Sequence, residues 1–316
     1  MKNVRMSLFP LEDMVAEAIA FMQENEPAEG YYLGFSGGKD SIVLRHLAHM
    51  ANVRFWAYHS LTRIDPPEVI KHMRKHYPDV SFLYPEKTFW EAIKEKSPPL
   101  RTQRWCCDVL KKDPGKKIPL KHRLMGVRKE ESKARAARER ISAFQGQITY
   151  KPIFDWTEWH IWAFIEKYNL PYPSLYDEGF DRIGCVICPF ILHGYPLAQK
   201  RLKRNMERWP GIFKTFEKVT EKWFNERIVA NGGKRKNQHC DTFESYIQGY
   251  YMGFEDKSGR PLNKKKLEGF LDQGLLDPAL ASDHREAAPR PSTKQRKACP
   301  KKVPPVKAEQ TRMEKK

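Results

Sequence analysis

The stretch Tyr31-Tyr32-Leu33-Gly34-Phe35-Ser36-Gly37-Gly38-Lys39-Asp40-Ser41-Ile42-Val43-Leu44 decides how the rest of this chain reads. An apolar run of strand character, Tyr31 to Phe35, enters a loop of small residues, and an apolar helical run, Ile42 to Ala48, leaves it. Small residues let backbone N–H groups turn inward around an anion, and the following helix aims the positive end of its dipole at the same spot. Lys39 adds a mobile positive charge, while Asp40, Ser36 and Ser41 offer oxygens to Mg²⁺ or to its water. The spacing departs from the common G-x-x-x-x-G-K-[ST] nucleotide loop. A plain Gly-Gly turn is the alternative, and the strand–loop–helix setting argues against it.

Working outward, the same alternation repeats. Leu11, Met14, Val15, Ala18, Ile19 and Met22 fall at helical spacing, so a first amphipathic helix is predicted to end before Pro27. Val53 to Tyr58 reads as a second buried strand, and Pro66-Pro67 opens a helix through Val69, Ile70 and Met73 that closes near Tyr77-Pro78. Val80 to Leu83 is a third strand, Phe89 to Ile93 begins another helix, and Leu124 to Val127 is a fourth strand. A highly charged helix is expected from Glu130 to about Arg140. Thr157 can cap a helix whose Ile161, Phe164, Ile165 and Tyr168 share a face, and Leu197 to about Phe224 reads as helical, basic and aromatic. Strands alternating with helices predict an α/β fold with a parallel sheet covered on both faces, the nucleotide lying at the carboxyl ends of the strands. The expected divisions are an N-terminal helix (1–27), a nucleotide-binding domain carrying the cysteines (28–195), a helical C-terminal region (196–284) and a disordered basic tail (285–316).

Composition narrows the class. The formal charge is +18, from 57 basic and 39 acidic side chains. Between Arg285 and Lys316 there are eleven Lys or Arg, three Glu and five prolines, a composition that cannot bury enough apolar surface to fold alone. That tail, and the patch Lys200-Arg201-Leu202-Lys203-Arg204, suit contact with DNA or RNA, or else are simply solvated. No apolar run is long enough to span a bilayer, and Met1-Lys2-Asn3-Val4-Arg5 lacks a signal-peptide core, so no membrane association and a cytoplasmic location are expected.

Four of the six cysteines form two tight pairs, Cys106-Cys107 and Cys185-Val186-Ile187-Cys188. Clustered thiols in a cytosolic chain bind a metal or cluster more often than they form disulfides. Four soft thiolates satisfy zinc or iron–sulfur, and a directly adjacent Cys-Cys is unusual for structural zinc. Buried, unliganded thiols are the third possibility. Cys299 is read as incidental; Cys240, in Gln238-His239-Cys240-Asp241, is the better candidate for a redox or sulfur-carrying thiol.

Read in order, the motifs are Gly34 to Ser41, Asp65-Pro66-Pro67-Glu68, Arg104-Trp105-Cys106-Cys107, Gly126-Val127-Arg128-Lys129-Glu130-Glu131-Ser132 with Arg135, Asp155-Trp156-Thr157, Asn169-Leu170-Pro171-Tyr172, Leu175 to Phe180, and Ile183-Gly184-Cys185 to Cys188-Pro189. This series closely resembles the phosphoadenosine phosphosulfate (PAPS) reductase family over about residues 28 to 215. The resemblance implies a Rossmann-like adenine-nucleotide α-hydrolase fold. It implies that Ser36, Gly37, Gly38, Lys39, Asp40 and Ser41 bind the nucleotide with Arg128 and Arg135, that Lys39, Asp40 and Arg128 are catalytic, and that Cys106, Cys107, Cys185 and Cys188 hold a [4Fe–4S] cluster, with zinc as the alternative. Asp65 and Glu68 are candidate helpers in metal binding, with turn and helix-start roles as the alternative.

Two departures shape the functional expectation. The late Glu-Cys-Gly-Leu/Ile-His segment of sulfonucleotide reductases has no counterpart here, and the loop has the Ser-Gly-Gly-Lys-Asp-Ser form of ATP pyrophosphatases. Both point towards the branch that resembles the iron–sulfur ATP pyrophosphatases of DNA phosphorothioation, or thiolation enzymes acting on RNA. The expected activity is cleavage of Mg-ATP between the α and β phosphates to activate an acceptor for sulfur transfer, the sulfur coming through the cluster or a donor protein such as a cysteine desulfurase. The alternatives are a thioredoxin-dependent PAPS or adenylyl-sulfate reductase using Cys240, and a non-enzymatic nucleic-acid-binding regulator.

Overall fold

The computed structural model describes residues 10–100, 103–192, 197–231, 234–235, 238–239 and 242–252. Cys240, Cys299 and the basic tail therefore lie outside the described residues. Helix α1 (Leu11–Glu24) precedes strand β1 (Tyr31–Gly34), which leads through the glycine loop into α2 (Lys39–Met50). Then follow β2 (Phe55–Ser60), α3 (Pro67–His76), β3 (Ser81–Leu83) and α4 (Phe89–Lys96). A winding segment comes next: α5 (Trp105–Cys107), a π-helical turn (Asp108–Lys112) and α6 (Asp113–Lys116). Strand β4 (His122–Met125), the short α7 (Lys133–Ala136), strands β5 (Ile141–Phe144) and β6 (Gln147–Tyr150), and α8 (Glu158–Lys167) complete the nucleotide-fold portion. Beyond it lie α9 (Pro189–Leu192), α10 (Leu197–Arg208), α11 (Pro210–Arg227) and α12 (Phe243–Met252).

The six strands are ordered β3-β2-β1-β4-β6-β5. All neighbours are parallel except β5, which runs antiparallel to β6. The expected α/β fold with a parallel sheet is present. Both faces are covered. Tyr31 turns to α1, its hydroxyl donating to Met22 O at 2.9 Å. Tyr32 turns the other way, under the Arg123 guanidinium at 4.3 Å, and Arg123 donates to Gly115 O of α6 at 2.7 Å. Helices α1, α2 and α8 pack on one another, with Phe164 fully buried between Trp156, His46 and Tyr168. The sheet reverses direction of growth at β1, between β2 and β4, so the loop after β1 stands at the topological switch point, where such sheets open a crevice.

One expectation is corrected. The charged helix from Glu130 to Arg140 is instead a 3₁₀ turn (Lys129–Glu131), the one-turn α7 and the start of β5. With no apolar stripe to bury, the run gains nothing from tertiary packing. Ser132, in extended conformation, breaks it and caps α7 by accepting from Arg135 N at 3.2 Å. The hairpin β5–β6 turns through Gln145 and Gly146, both at positive φ, the geometry of a tight two-residue hairpin. The run Leu197–Phe224 is helical as expected and forms two helices, because Pro210 cannot continue α10 and instead starts α11. Among the described residues no helix is long and apolar enough to cross a membrane.

Truncating the centre of the α1–α2–α8 layer tests this packing. Phe164→Ala is expected to lower stability by about 3–5 kcal/mol, read as a reduced urea midpoint at unchanged m-value; a loss below about 1 kcal/mol would place Phe164 outside the core.

Candidate functional site

Because β1, β2, β4 and β6 run parallel, the segments that follow them emerge at one edge of the sheet. These segments are Ser36–Ser41, Leu61–Asp65, Gly126–Arg128 and Lys151–Glu158, and each supplies part of the site. The glycine loop is closed by its serines: Ser36 and Ser41 hydroxyls are 3.1 Å apart, Ser41 Oγ donates to Gly38 O at 2.9 Å, and Gly38 N donates to Ser36 Oγ at 3.3 Å. Gly37 has φ +73°, and a Cβ there would stand 2.8 Å from both Met73 Sδ and Val69 Cγ1, so only glycine fits. A Cβ on Gly126 would meet Asp40 O at 3.1 Å, which shows how closely the end of β4 abuts the first turn of α2.

Three charges converge on that turn. Lys39 is 5% exposed; its ammonium donates to Asp181 O at 3.4 Å and lies 3.7 Å from both Asp40 and Glu158. Arg128, 3% exposed, donates through Nε to Asp40 Oδ1 at 2.5 Å and through a terminal nitrogen to Glu130 at 2.7 Å. Burial alone would lower the Arg128 pKa, but Asp40, Glu130 and Glu131 together raise it, so this guanidinium is a fixed charge. Arg135 is one step removed: it pairs with Glu131 and senses Asp40 only electrostatically, while burial and the neighbouring Arg182 and Arg138 lower its pKa. The backbone N–H of Lys39, at the helix start where an anion would dock, donates to the buried Tyr176 hydroxyl at 3.0 Å.

The four paired cysteines come together at the same edge. All four thiols are free and half-buried, and Cys106 lies within the electrostatic reach of Cys107, Cys185 and Cys188. Cys107 is pulled down to about 6 by its hydrogen bond with Cys106 and by the charges of Lys111 and Arg104, which outweigh burial; Cys106 is correspondingly raised. Burial pushes Cys185 up to about 11. The Lys111 ammonium faces Cys185 and Asp65, and the charge of the Cys185 thiolate raises its pKa. Thr62 Oγ1 is 3.6 Å from Cys185 Sγ, and Val186 N donates to Ile64 O at 2.7 Å, which ties the second cysteine loop to the segment after β2. Arg104 stacks on Phe190 at 4.3 Å, joining the two cysteine segments. Tyr250 of α12 closes the far side, within electrostatic reach of Cys106 and Cys188, its hydroxyl donating to Pro99 O at 2.9 Å. Among the described residues no three or more His, Cys, Asp or Glu side chains are gathered tightly enough to close on a single metal ion.

The expected residues thus divide into two neighbouring groups. Ser36 to Ser41, Arg128 and, at its border, Arg135 surround the loop; Cys107, Cys185 and Cys188 lie within electrostatic reach of Cys106. The loop from Asp181 to Cys185 bridges them, since Asp181 O holds Lys39 and Cys185 is four residues on. Asp65 joins the thiols and not the loop: Cys185 Sγ is 3.9 Å from Asp65 Oδ1, and His59 Nε2 is 3.8 Å from Asp65 Oδ2. Burial would raise the Asp65 pKa, but His59 and Lys111 hold it below the ordinary value. Glu68 leaves the site altogether, pairing with Arg208 at 2.8 Å and accepting from Trp209 Nε1 at 3.0 Å. Sequence reasoning passes over His59, Thr62, Lys111 and Glu158, which belong to no local motif. Tyr176 stands in a recognisable run, but only its contact with Lys39 gives it a role.

Comparison with known proteins identifies the family. The sequence profile of the phosphoadenosine phosphosulfate reductase domain matches residues 30–190. An uncharacterised protein of Methanocaldococcus jannaschii is 33% identical over 221 residues, 65% of this chain and 44% of the relative. The adenosine 5'-phosphosulfate reductase of Bacillus mycoides is 28% identical over 226 residues, 66% of this chain and 92% of the relative. The chain thus spans about half the length of its Methanocaldococcus relatives, 44% and 47%. Among solved structures, phosphoadenylyl-sulfate reductase of Candida auris superposes with a TM-score of 0.43 at 18% identity, over 58% of this chain and 98% of that one.

Removing one partner of the buried Arg128 pair isolates its energetic role. Arg128→Met removes the guanidinium shared by Asp40 and Glu130, leaving Asp40 only the Lys39 ammonium at 3.7 Å, and is expected to cost about 3–5 kcal/mol. The double variant with Asp40→Asn should recover part of that loss in a denaturant cycle; strictly additive losses would contradict the pairing.

Proposed function

The chain belongs to the phosphoadenosine phosphosulfate reductase domain family, and from that premise we propose that it is an ATP-dependent activating enzyme for sulfur transfer. The observation that carries this reading is the bridge just described: one loop, Asp181 to Cys185, touches the phosphate-type cradle at one end and the thiol quartet at the other. In the proposed reaction an acceptor oxygen attacks the α-phosphorus of ATP and the bond to the β-phosphate oxygen breaks. Pyrophosphate leaves, and the acceptor carries AMP on its oxygen. A sulfur nucleophile then attacks the acceptor atom that bears that oxygen, and AMP departs with the bonding pair.

The chain's own residues would supply positioning and charge. Backbone amides of the glycine loop and the N-terminus of α2 would face the phosphates, and Lys39 with Arg128 would offset charge developing on the leaving pyrophosphate. Asp40 and the serine hydroxyls would face Mg²⁺ arriving with the nucleotide. Such chemistry asks little of a protein beyond placement and electrostatics. The donor set of Cys106, Cys107, Cys185 and Cys188 fits a [4Fe–4S] cluster by its softness and number, with zinc as the alternative occupant. Bound there, the cluster would supply thiolate-ligated iron where the sulfur must arrive. Thr62 and Lys111 would then hold Cys185 in orientation, and Tyr250 would keep bulk water away. The sulfur donor would be a partner protein, a cysteine desulfurase or, in a reductive version, thioredoxin, and the setting cytoplasmic. A second reading, thiol-dependent reduction of a sulfonucleotide with Cys240 as nucleophile, is favoured by the name of the Bacillus relative.

Anaerobic purification followed by iron and sulfide analysis and a pyrophosphate-release assay separates these readings. The leading one predicts about four irons per chain, and a Lys39→Ala variant that keeps its iron but releases pyrophosphate about 10²-fold more slowly. Cys185→Ser should lose iron and keep ATP affinity. Stoichiometric zinc would remove the cluster. Sulfite release from adenylyl sulfate, abolished by Cys240→Ser, would favour the reductase instead.

A further inference from the structure

Lys39 is the first residue of α2, and both of its nitrogens are held by one segment from far along the chain. Its backbone N–H, an orphan donor at the helix start, donates to the Tyr176 hydroxyl at 3.0 Å, and its ammonium donates to Asp181 O at 3.4 Å. The hydroxyl is wedged into the glycine loop, 3.1 Å from where a Cβ on Gly38 would stand. Tyr176 is 2% exposed, its ring edge-on to Trp162 at 5.3 Å and beneath the Lys39 ammonium at 5.4 Å. Burial raises its pKa, so the group is a neutral hydroxyl. Two other amides of the loop are met in the same way, Ser36 N by the Ser41 hydroxyl at 3.2 Å and Gly38 N by the Ser36 hydroxyl at 3.3 Å. Those serines can turn within the loop itself. Tyr176 cannot withdraw without moving its own segment.

That segment has a second anchor. Helix α10 pairs Arg201 and Arg204 with the Asp181 carboxylate, donates from Arg204 to Gly179 O at 3.2 Å and lays the same guanidinium on the Phe180 ring at 3.7 Å. Further on, Val186, between Cys185 and Cys188, donates to Ile64 O at 2.7 Å and accepts from the buried Asn205 of α10 at 3.2 Å. Between Tyr176 and Asp181 the backbone turns at Gly179, φ +92°, with nothing within 4 Å of where its Cβ would stand. The stretch from Tyr176 to Val186 is thus tied to Lys39 at one end and to α10 along its length, with room to turn between.

We propose that the Tyr176 hydroxyl stands where a phosphoryl oxygen of a pyrophosphate-type anion binds, and that the anion, by displacing it, loosens the segment that carries Cys185. A charged oxygen accepts from an N–H roughly twice as strongly as a neutral one, so the phosphoryl group takes the Lys39 amide. The same anion draws the Lys39 ammonium away from a neutral carbonyl. With both contacts gone, α10 alone holds Asp181, and the shift passes along the backbone to Val186 and its flanking cysteines. Nucleotide and thiols are coupled in this way without touching. The inference rests on the activation reading only in taking the anion to be part of ATP.

The test uses the full-length protein and inorganic pyrophosphate. Tyr176→Phe keeps the ring and removes only the oxygen, which leaves the Lys39 amide to the anion. Calorimetric titration should then show pyrophosphate bound about fivefold more tightly than by wild type, the worth of one hydrogen bond. A hydroxyl that merely supported the fold would leave that affinity unchanged or weaken it. Hydrogen exchange gives a reading that needs no variant. In wild type, saturating pyrophosphate should speed exchange of the peptide from Asp177 to Val186, and in Tyr176→Phe the same peptide should exchange fast without pyrophosphate. Equal or weaker pyrophosphate binding by Tyr176→Phe overturns the proposal, as does exchange of that peptide that pyrophosphate slows or leaves unchanged. ATP binding without cleavage, accompanied by the expected faster exchange, would sink the activation reading and leave this inference standing; ATP cleavage with an unmoved segment would do the reverse.

Discussion

Parallel pairing of β1 with β2 on one side and β4 on the other is the constraint on which the rest of the molecule depends. It puts the carboxyl ends of these strands at one edge, so segments far apart in sequence are delivered to the same place. The register is tight enough that the end of β4 sits against the first turn of α2, where Gly126 leaves no room for a side chain. Arg128 can then reach Asp40 from two residues further on. The same edge receives the segment after β2, whose Thr62 and Ile64 grip the loop of Cys185 and Val186. Each group of functional side chains depends on partners distant in sequence that the sheet delivers: Arg128 for the loop, and Thr62 and Ile64 for the second cysteine segment.

Electrostatics follows from that geometry. Lys39 and Arg128 are nearly excluded from water, and cations so placed are tolerated only with partners. Asp40, Glu130 and Glu158 supply them. An incoming polyphosphate would find positive charge fixed in position, with the reorganisation already done during folding. The thiols present the opposite case. Their crowding disfavours full ionisation, and Lys111 with the Cys106–Cys107 hydrogen bond offsets it. Two sites of opposite electrical demand are thereby kept side by side, separated by the short loop from Asp181 to Cys185.

Much of this was legible in the chain. The glycine loop reads directly, because Ser36-Gly37-Gly38-Lys39 between two apolar runs has few other uses, and the tandem and spaced cysteine pairs mark the two segments whose thiols the fold brings within electrostatic reach. The β-α alternation through Phe89 was equally clear, since each element carries its own apolar period. The hairpin β5–β6 was not, because Gln145-Gly146 lacks the usual Asn-Gly signal and the preceding run is rich in charge. The winding segment Trp105–Lys116 was also hidden, as its turns follow the packing of Gly115 against Tyr32 and Arg123, not a local propensity. Asp65 illustrates the general limit. Its Asp-Pro-Pro-Glu setting suggests a turn, and only the fold shows its carboxylate among His59, Lys111 and Cys185.

The central claim is that cradle and thiols are one site, and the visible absorption and electron paramagnetic resonance of the anaerobically isolated, reduced protein test it most directly. If the two groups communicate through the Asp181–Cys185 loop, saturating Mg-ATP shifts the spectrum of the centre proposed on the four cysteines, and the Lys39→Ala variant shows no shift. A spectrum unmoved by nucleotide, with ATP binding demonstrated in the same sample, would contradict the account.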